Sequence, residues 1–508
     1  MADRQRLWIC YRRYARAGRD TMSQSSSLIS RFKFEFVGRI VATVSGGLLM
    51  VALARLLGPD EYGLLFLAIA IFGVFGIFSK LGIAKSCARY VAEYKERDPS
   101  QLPYILRVSL TLNVLAVTIV VGALLLGHRQ VAAILDEPSL TPLLLFGLVF
   151  LAFEALATFT RLVLQGFEEI EWAATVHAIN RLTRLAFAVG FVVLGFGALG
   201  ALGGYILSFV LSSFLGMWIL YRRYYRRIDA AATIESGLRR RIGEYTVPLT
   251  ATSTANVLDK QIDTVLVGFF LNPVAVSYYV ISKQAVEFLE TPVSALGFTL
   301  SPTFGAQKAG DNVKEAARIY ETALTHSLLL YVPAAAGIVL VADPTIPLIF
   351  GEDFRGAIPV LQILSLFVIL QAITKITSNA LDFLGRAKAR AIVKGVTSLL
   401  NVGLNVVLIP LVGVVGAAIA TVVTYSLYTG ANIFIIHQEF GLRIGVLVRR
   451  IVTIIGVTAS MVVVLLPVNG YVDGWLSLVA IVLLGVSVWA TLSVLTGLLN
   501  IRDVKSPV

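Results

Sequence analysis

Long apolar stretches separated by short polar connectors dominate the pattern of hydrophobic and polar positions along this chain. Many of them exceed the roughly 20 residues that a helix needs to cross the hydrocarbon core of a membrane. The alternating pattern typical of membrane-spanning strands does not occur. The sequence therefore predicts fourteen membrane-spanning helices, at about 34–57, 62–84, 105–127, 140–165, 173–195, 198–221, 247–270, 273–300, 319–342, 358–381, 390–411, 413–436, 450–468 and 475–498.

The composition agrees with this prediction. Hydrophobic residues make up 57% of the chain, charged residues 15%, and the mean hydropathy is +0.81. Ordinary soluble domains carry about 25% charged residues, so the soluble, disordered and disulfide-rich classes are excluded. The two cysteines, Cys10 and Cys87, are too few for a disulfide framework.

The net charge of +12 is explained mainly by topology. Lys and Arg concentrate in every second connector, whereas the connectors on the other side contain only Arg129 and Arg355. Because basic residues are retained on the cytoplasmic side, we expect a multi-pass plasma-membrane protein with both termini in the cytoplasm and no nucleic-acid partner. For the arginine-rich run 222–241, the alternative is a site for an anionic lipid or a partner. Residues 1–21 are interpreted either as an amphipathic surface helix or as preceding a true start at Met22.

An internal duplication is indicated by two matches at a nearly constant offset. Residues 57–63 match 271–277 at an offset of 214, and residues 197–202 match 413–418 at an offset of 216. Such repeats are typical of transporters that rock two lobes around a central site. We predict an all-α integral membrane fold with two six-helix lobes related by pseudo-two-fold symmetry and a C-terminal helix pair. The predicted segments are an N-terminal cytoplasmic tail (1–33), an N-lobe (34–221), a basic connector (222–246), a C-lobe (247–436), a cytoplasmic loop (437–449), the helix pair (450–498) and a C-terminal tail (499–508).

Ionisable residues inside the predicted spans are the candidate site, because each is costly in a membrane unless it has a function or a partner. Arg181 and Arg184 share one helical face with His177, and no carboxylate lies three or four residues away. For Arg39 the alternative is a static pair with Glu35, and for Arg55 it is a favourable position near a helix C-terminus. The candidate substrate-binding cations are Arg39, Arg55, Arg181, Arg184, Lys260, Lys283 and Lys375, and the candidate coupling or gating acids are Glu154, Asp259 and Asp263.

Enzyme motifs are absent from the sequence. The four histidines lie in separate regions, and no metal-ligand spacing, phosphate-binding loop or nucleophile motif occurs. We therefore expect no catalytic residues, no metal and no cofactor. A membrane-embedded glycosyltransferase or polymerase remains an alternative.

Four stretches of sequence resemble the polysaccharide-export branch of the MATE/MOP transporter superfamily. They are residues 54–63 (ARLLGPDEYG), 89–94 (RYVAEY), 263–273 (DTVLVGFFLNP) and 405–418 (NVVLIPLVGVVGAA). The resemblance extends over the first twelve spans, approximately residues 30–440.

The resemblance implies a flippase that moves polyprenyl- or dolichyl-linked sugars, carried on one or two phosphates, from the inner to the outer leaflet. It also implies two lobes in a V shape, a cationic cavity with alternating access, and a lipid-tail groove built by the last two helices. Expected partners are the lipid-linked sugar, membrane lipids and a coupling ion (H⁺ or Na⁺), with the monomer as the working unit. Because the branch has no invariant substrate motif, the site residues depend on charge placement alone. The rival interpretation is a cation-coupled multidrug exporter of the same superfamily.

Overall fold

The computed structural model describes residues 2–289 and 312–499, with side chains from Val41 onward except at 251, 252, 255, 256 and 259. Within these ranges the chain forms α-helices and short 3₁₀ or π turns, without a β-strand. The first seven helices are α1 (Ala2–Lys80), α2 (Ile83–Arg97), α3 (Leu102–Ile134), α4 (Leu140–Gly166), α5 (Ile170–Phe191), α6 (Gly197–Leu220) and α7 (Leu238–Phe270). The next seven are α8 (Pro273–Phe288), α9 (Val313–Phe350), α10 (Ala357–Phe383), α11 (Ala387–Val412), α12 (Val414–Phe440), α13 (Ile444–Asn469) and α14 (Trp475–Leu495).

Backbone breaks fall where the duplication predicts turns. Helix α1 is interrupted at Gly58, whose φ of 70° suits a residue without a Cβ atom. The helix-flanking Gly197 and Gly413, which match in the repeat, also have positive φ, at 54° and 71°. At the start of α8, the Asn272 side chain accepts a hydrogen bond from the Ala275 N–H at 2.9 Å, and Pro273 occupies the first turn. Proline costs nothing at that position because its missing N–H would have no helical partner.

Ten stretches of the described chain are long and apolar enough to cross a membrane. Two of them, Val41–Lys80 and Ile170–Tyr225, contain the glycine breaks and are long enough for two passes each. Helix α7 and the described helix α8, which end at Phe270 and Phe288, lie in the predicted spans 247–270 and 273–300 but are not among these ten stretches. The protein is therefore an all-helical, multi-pass membrane protein.

Helix α2 is an amphipathic element that the apolar pattern did not predict. Its buried face carries Cys87, Tyr90 and Tyr94, which pack in one apolar cluster with residues from α3, α4, α6 and α7. Its exposed face carries Lys85 and Arg89. Burial raises the pKa of the Cys87 thiol to about 12, so the thiol stays protonated and serves as a small apolar group.

The loop between α6 and α7 is attached to α2. The Glu235 carboxylate accepts hydrogen bonds from the Tyr94 hydroxyl at 2.5 Å and from the Arg241 guanidinium at 2.7 Å. The Gln101 side-chain amide donates to the Thr233 carbonyl at 3.0 Å. These contacts hold the basic loop in one place.

The chain divides into two compact units. Unit 1 comprises Met1–Leu49, Phe75–Leu126 and Leu145–Ser253, and unit 2 comprises Met50–Val74, Gly127–Leu144 and Thr254–Val508. In unit 2 the segment after Gly58 packs closely on α7 and α8. A Cβ atom added at Gly63 would lie 1.7 Å from the Pro273 carbonyl oxygen, and one added at Gly268 would lie 2.5 Å from a Leu67 methyl group. Small residues permit this close approach of helices in a membrane.

Helices α13 and α14 pack on each other and on α9. Three groups of α9 receive hydrogen bonds from this part of the chain. The Leu329 carbonyl accepts from the Trp489 indole N–H at 3.0 Å, and the Leu340 carbonyl accepts from the Asn469 amide at 3.0 Å. The Glu321 carboxylate, buried on α9, accepts from the backbone N–H of Arg443 at 2.8 Å and from its Nε at 2.9 Å.

Candidate functional site

The first charged site lies in unit 1, where α5 faces α6. The Arg184 guanidinium donates a hydrogen bond to the Asn180 side-chain oxygen at 2.9 Å. It also lies over two aromatic rings of α6, 4.6 Å from the Tyr205 centroid and 4.8 Å from the Phe209 centroid. Asn180 in turn donates to the Ser212 hydroxyl at 3.1 Å. Cation–π contacts hold the guanidinium without neutralising it.

Arg181 and Arg184 keep hydrogen-bonding capacity unused. The Nε atoms of both are buried and have no hydrogen-bond partner among the described residues. Neither guanidinium forms an ion pair with any residue in the described ranges. A buried donor left unsatisfied costs about 1–3 kcal/mol, more for a charged group, so both would be stabilised by an anionic acceptor.

Other bases extend this site onto α1 and α4. Arg161 of α4 and the arginine pair of α5 lie within electrostatic range of His177. Glu154, the acid of this group, lies 2.6 Å from the Lys80 ammonium, which takes up its charge. The bases therefore outnumber the acid, and the site carries excess positive charge.

The second charged site is a cavity of about 90 Å³ in unit 2, bounded by α7, α8, α10, α11 and α12. It brings together four of the predicted site residues. They are Lys260, Lys283, Lys375 and Asp263, with Glu287, Phe367, Gln371, Asn401, Thr421, Thr424 and Tyr425 completing the lining. The Lys283 ammonium donates to the Lys260 carbonyl at 2.8 Å and lies 3.8 Å from the Asp263 carboxylate.

Asp263 is the centre of a buried polar network. Its carboxylate accepts hydrogen bonds from the Tyr279 hydroxyl at 2.8 Å, the Asn405 amide at 2.9 Å and the Thr421 hydroxyl at 3.2 Å. The Asp263 side chain is 2% exposed. A buried carboxylate is tolerated only when hydrogen bonds and a counter-charge compensate for lost hydration, and this network supplies both.

The remaining predicted residues lie elsewhere. Arg55, in unit 2, donates from Nε to the Ile349 carbonyl at 2.8 Å and from a terminal nitrogen to the Leu348 carbonyl. It therefore caps the C-terminus of α9, where a cation is favoured. The side chains of Arg39 and Asp259 lie outside the described residues.

Sequence reasoning missed Arg161 and Lys80 in unit 1. A signal for Arg161 was available, since it follows Glu154 by seven residues and therefore shares its helical face. It also missed Asn401, Asn405 and Thr421 in unit 2. Uncharged polar residues are common in membrane helices, so no sequence signal distinguished these three from ordinary helix contacts.

Together, the all-helical fold and the charged sites within its spans define a multi-pass protein of the membrane-transporter class. More specifically, the chain belongs to the family described as "Polysaccharide biosynthesis protein", whose model matches residues 36–306. A second family model, MatE, matches residues 248–407. The resemblance stated from the sequence motifs is confirmed.

Two relatives with named roles illustrate this family. The probable low-salt glycan biosynthesis flippase Agl15 of Haloferax volcanii is 22% identical over 377 residues, which cover 74% of this chain and 76% of the relative. The lipopolysaccharide biosynthesis protein WzxC of Escherichia coli is 25% identical over 374 residues, covering 73% and 72%.

Solved structures show the same fold. The lipid II flippase MurJ, in an inward closed conformation, matches with a TM-score of 0.75 and 16% identity over 93% of this chain and 99% of its own. An inward-facing multidrug resistance MATE family transporter of the MOP superfamily matches with a TM-score of 0.68 and 16% identity, over 80% and 96%. These likenesses confirm the predicted all-α membrane fold.

Proposed function

We propose that this protein is a flippase that translocates a sugar linked to a polyprenyl or dolichyl phosphate or diphosphate, for surface polysaccharide or glycoprotein assembly. The observation that carries the proposal is the pair of buried, unpartnered Nε donors on Arg181 and Arg184. Arginine binds phosphate oxygens through two parallel hydrogen bonds. A phosphate at this site would satisfy donors that the described part of the chain leaves without an acceptor. The relative described as a probable low-salt glycan biosynthesis flippase supports the same substrate class.

The cations of the second site would act on the same substrate. Lys260, Lys283 and Lys375 place ammonium groups around the unit 2 cavity, where they can attract a phosphate. Arg39 and Arg55 complete the proposed set of substrate-binding cations. Transport would proceed by alternating access, with lobes 34–221 and 247–436 rocking about the site and without a catalytic step.

Asp263 is the proposed site of ion coupling. Its carboxylate is buried, and the side-chain oxygen of neighbouring Asn405 has no partner in the described chain. Carboxylate, amide and hydroxyl oxygens are ligands for hard cations, and a buried carboxylate can also bind a proton. Glu154 and Asp259 are the other proposed coupling or gating acids.

The distribution of basic residues supports an orientation in the plasma membrane with both termini in the cytoplasm. In this orientation the basic loop after α6 meets the inner leaflet, where lipid-linked sugars would be loaded. The monomer contains both charged sites and is the proposed working unit.

Reconstitution with fluorescent lipid-linked sugars tests the proposal. Wild-type protein should move them between leaflets, and Arg181→Ala and Arg184→Ala should each slow movement at least tenfold, because each removes a charge-assisted phosphate contact. Arg129→Ala, on the predicted outer end of α3, is the control and should retain full activity. Unchanged flipping in both site variants would remove the proposed site, and export of cationic dyes would favour the multidrug-exporter alternative.

A further inference from the structure

The end of α6 forms an aromatic platform beside α3. Residues Tyr221–Tyr225 form a π-helical turn, in which the rings of Tyr221 and Tyr225 stack with centroids 5.9 Å apart. The Tyr225 hydroxyl accepts a hydrogen bond from the Arg107 guanidinium of α3 at 2.7 Å. This contact holds the Arg107 guanidinium beside Tyr225.

Arg107 and the two tyrosines also line a cavity of about 270 Å³. Its walls are mostly apolar, and its polar lining residues are Arg107, Thr111, Tyr221 and Tyr225. The apolar walls come from Leu106, Leu110, Phe159, Met217 and Leu220. A cavity with hydrocarbon walls and a cation in its lining matches an amphiphilic anion better than a small soluble one.

Lipid-facing side chains surround the cavity. Tyr221 is 54% exposed and Trp218 is 52% exposed at the end of α6, and on α3 Val114 and Leu115 are exposed as well. In a membrane-spanning chain such apolar exposure faces hydrocarbon. Trp and Tyr are typical of the level where hydrocarbon meets lipid headgroups, which is where we expect this end of α6 to lie.

The charge around the cavity is positive. Arg107, Arg222, Arg226 and Arg227 form no ion pair with any residue of the described ranges. The Arg222 guanidinium lies 5.4 Å from the Trp218 ring centroid, which leaves its charge available. Basic groups next to a membrane attract anionic lipids.

We infer that α3, the end of α6 and residues 221–227 form a binding site for an anionic membrane lipid. Arg107 and the tyrosine hydroxyls hold the phosphate, Arg222 adds positive charge, and one hydrocarbon chain fills the apolar cavity. The occupant is a resident lipid of the surrounding leaflet rather than cargo. None of these residues is assigned to substrate binding above, so the inference does not depend on the proposed function.

Native mass spectrometry of the full-length protein in uncharged detergent tests this inference. Phosphatidylglycerol and phosphatidylcholine with matched chains are titrated separately. Wild-type protein should bind one phosphatidylglycerol more tightly than any phosphatidylcholine. Arg107→Gln should weaken that binding about fivefold, the effect expected for one basic group at a membrane surface. Met217→Trp keeps every cation but fills the cavity, and should weaken binding at least as much.

Arg240→Gln is the matched control, because it removes an exposed arginine that pairs with Glu244 on α7. It should bind phosphatidylglycerol like the wild type. Equal binding of the two lipids, or wild-type binding by both Arg107→Gln and Met217→Trp, would overturn the inference. Displacement of the bound lipid by inorganic phosphate alone would also overturn it, because the site would then recognise a free anion.

Discussion

The Lys80 ammonium lies 2.6 Å from the Glu154 carboxylate and joins α1 to α4 beside the arginine pair of α5. Both side chains are partly exposed, at 31% and 22%. This ion pair removes one positive and one negative charge from a site that otherwise consists of bases. The arginines of α4 and α5 therefore keep their charge for a ligand.

The ion pair leads to a prediction about Glu154. Glu154→Gln leaves Lys80 without its partner and should lower the free energy of unfolding by about 1 kcal/mol, since partial exposure reduces the effect of a buried pair. It should also slow flipping. Lys80→Met combined with Glu154→Gln should recover part of the lost stability but not the flipping rate, because Glu154 is a proposed coupling acid; a double-mutant cycle with Lys80→Met alone measures the coupling. Recovery of flipping in the double variant would show that Glu154 serves only to pair with Lys80.

The Glu321 carboxylate anchors the connector before α13. Glu321→Ala should lower the free energy of unfolding by about 2 kcal/mol, because the backbone N–H and guanidinium of Arg443 both lose a buried acceptor. The melting temperature of the detergent-solubilised protein measures this. Glu315→Gln, which breaks an exposed pair with Arg318 on the same helix, is the control and should shift it little. Equal shifts in the two variants would contradict the anchoring role.

Gly63 should not tolerate even a methyl group. In Gly63→Ala the new Cβ would meet the Pro273 carbonyl oxygen, so α1 and α8 must separate, at about 3 kcal/mol. Gly122→Ala, in α3, meets no atom within 4 Å and should be neutral or slightly stabilising. Thermal unfolding and purification yield compare the two. Similar behaviour of both variants would argue against the close approach of α1 and α8.

The contact between Glu235 and α2 predicts a dependence on pH. Hydrogen bonds from Tyr94 and Arg241 hold the pKa of the Glu235 carboxyl below its usual 4.5. The stabilisation is therefore present above pH 4.5 and is lost as pH falls through the lower, folded-state pKa. Protease cleavage of the loop should increase below pH 4 in the wild type. In Glu235→Gln, cleavage of the loop should already be high at pH 7. Glu96→Gln, on the exposed surface of α2, is the control and should be cleaved like the wild type.

Much of the fold could be predicted because its signals are local. The position of Pro273 and the glycines at 58, 197 and 413 depend on a few neighbouring residues, and the structure places a turn at each. Helix α2 was missed because its amphipathic pattern lies between two longer apolar stretches. Its apolar face can be recognised as a buried surface only when the positions of α4 and α6, which cover it, are known.

The site could be predicted only in part because its contacts are distant in sequence. Arg55 contacts carbonyls more than 290 residues away. Every residue has a backbone carbonyl, so the sequence does not show which carbonyl accepts the hydrogen bond. Asp263 was identified because placing an ionisable side chain inside a membrane span costs free energy unless the residue has a function or a partner. Its hydrogen-bond partners Asn405 and Thr421, over 140 residues further along the chain, were not identified. Amide and hydroxyl groups occur throughout such helices, so these two did not stand out.

The attachment of α13 and α14 to one neighbour has a mechanical consequence. The residues that receive their hydrogen bonds, Glu321, Leu329 and Leu340, all belong to α9, spread over about five turns. Exposed hydroxyls on the two helices, such as Ser460 and Ser487, donate to carbonyls of their own helices instead. The two C-terminal helices are thus fixed to α9, so a tilt of that single helix would carry both of them through the bilayer.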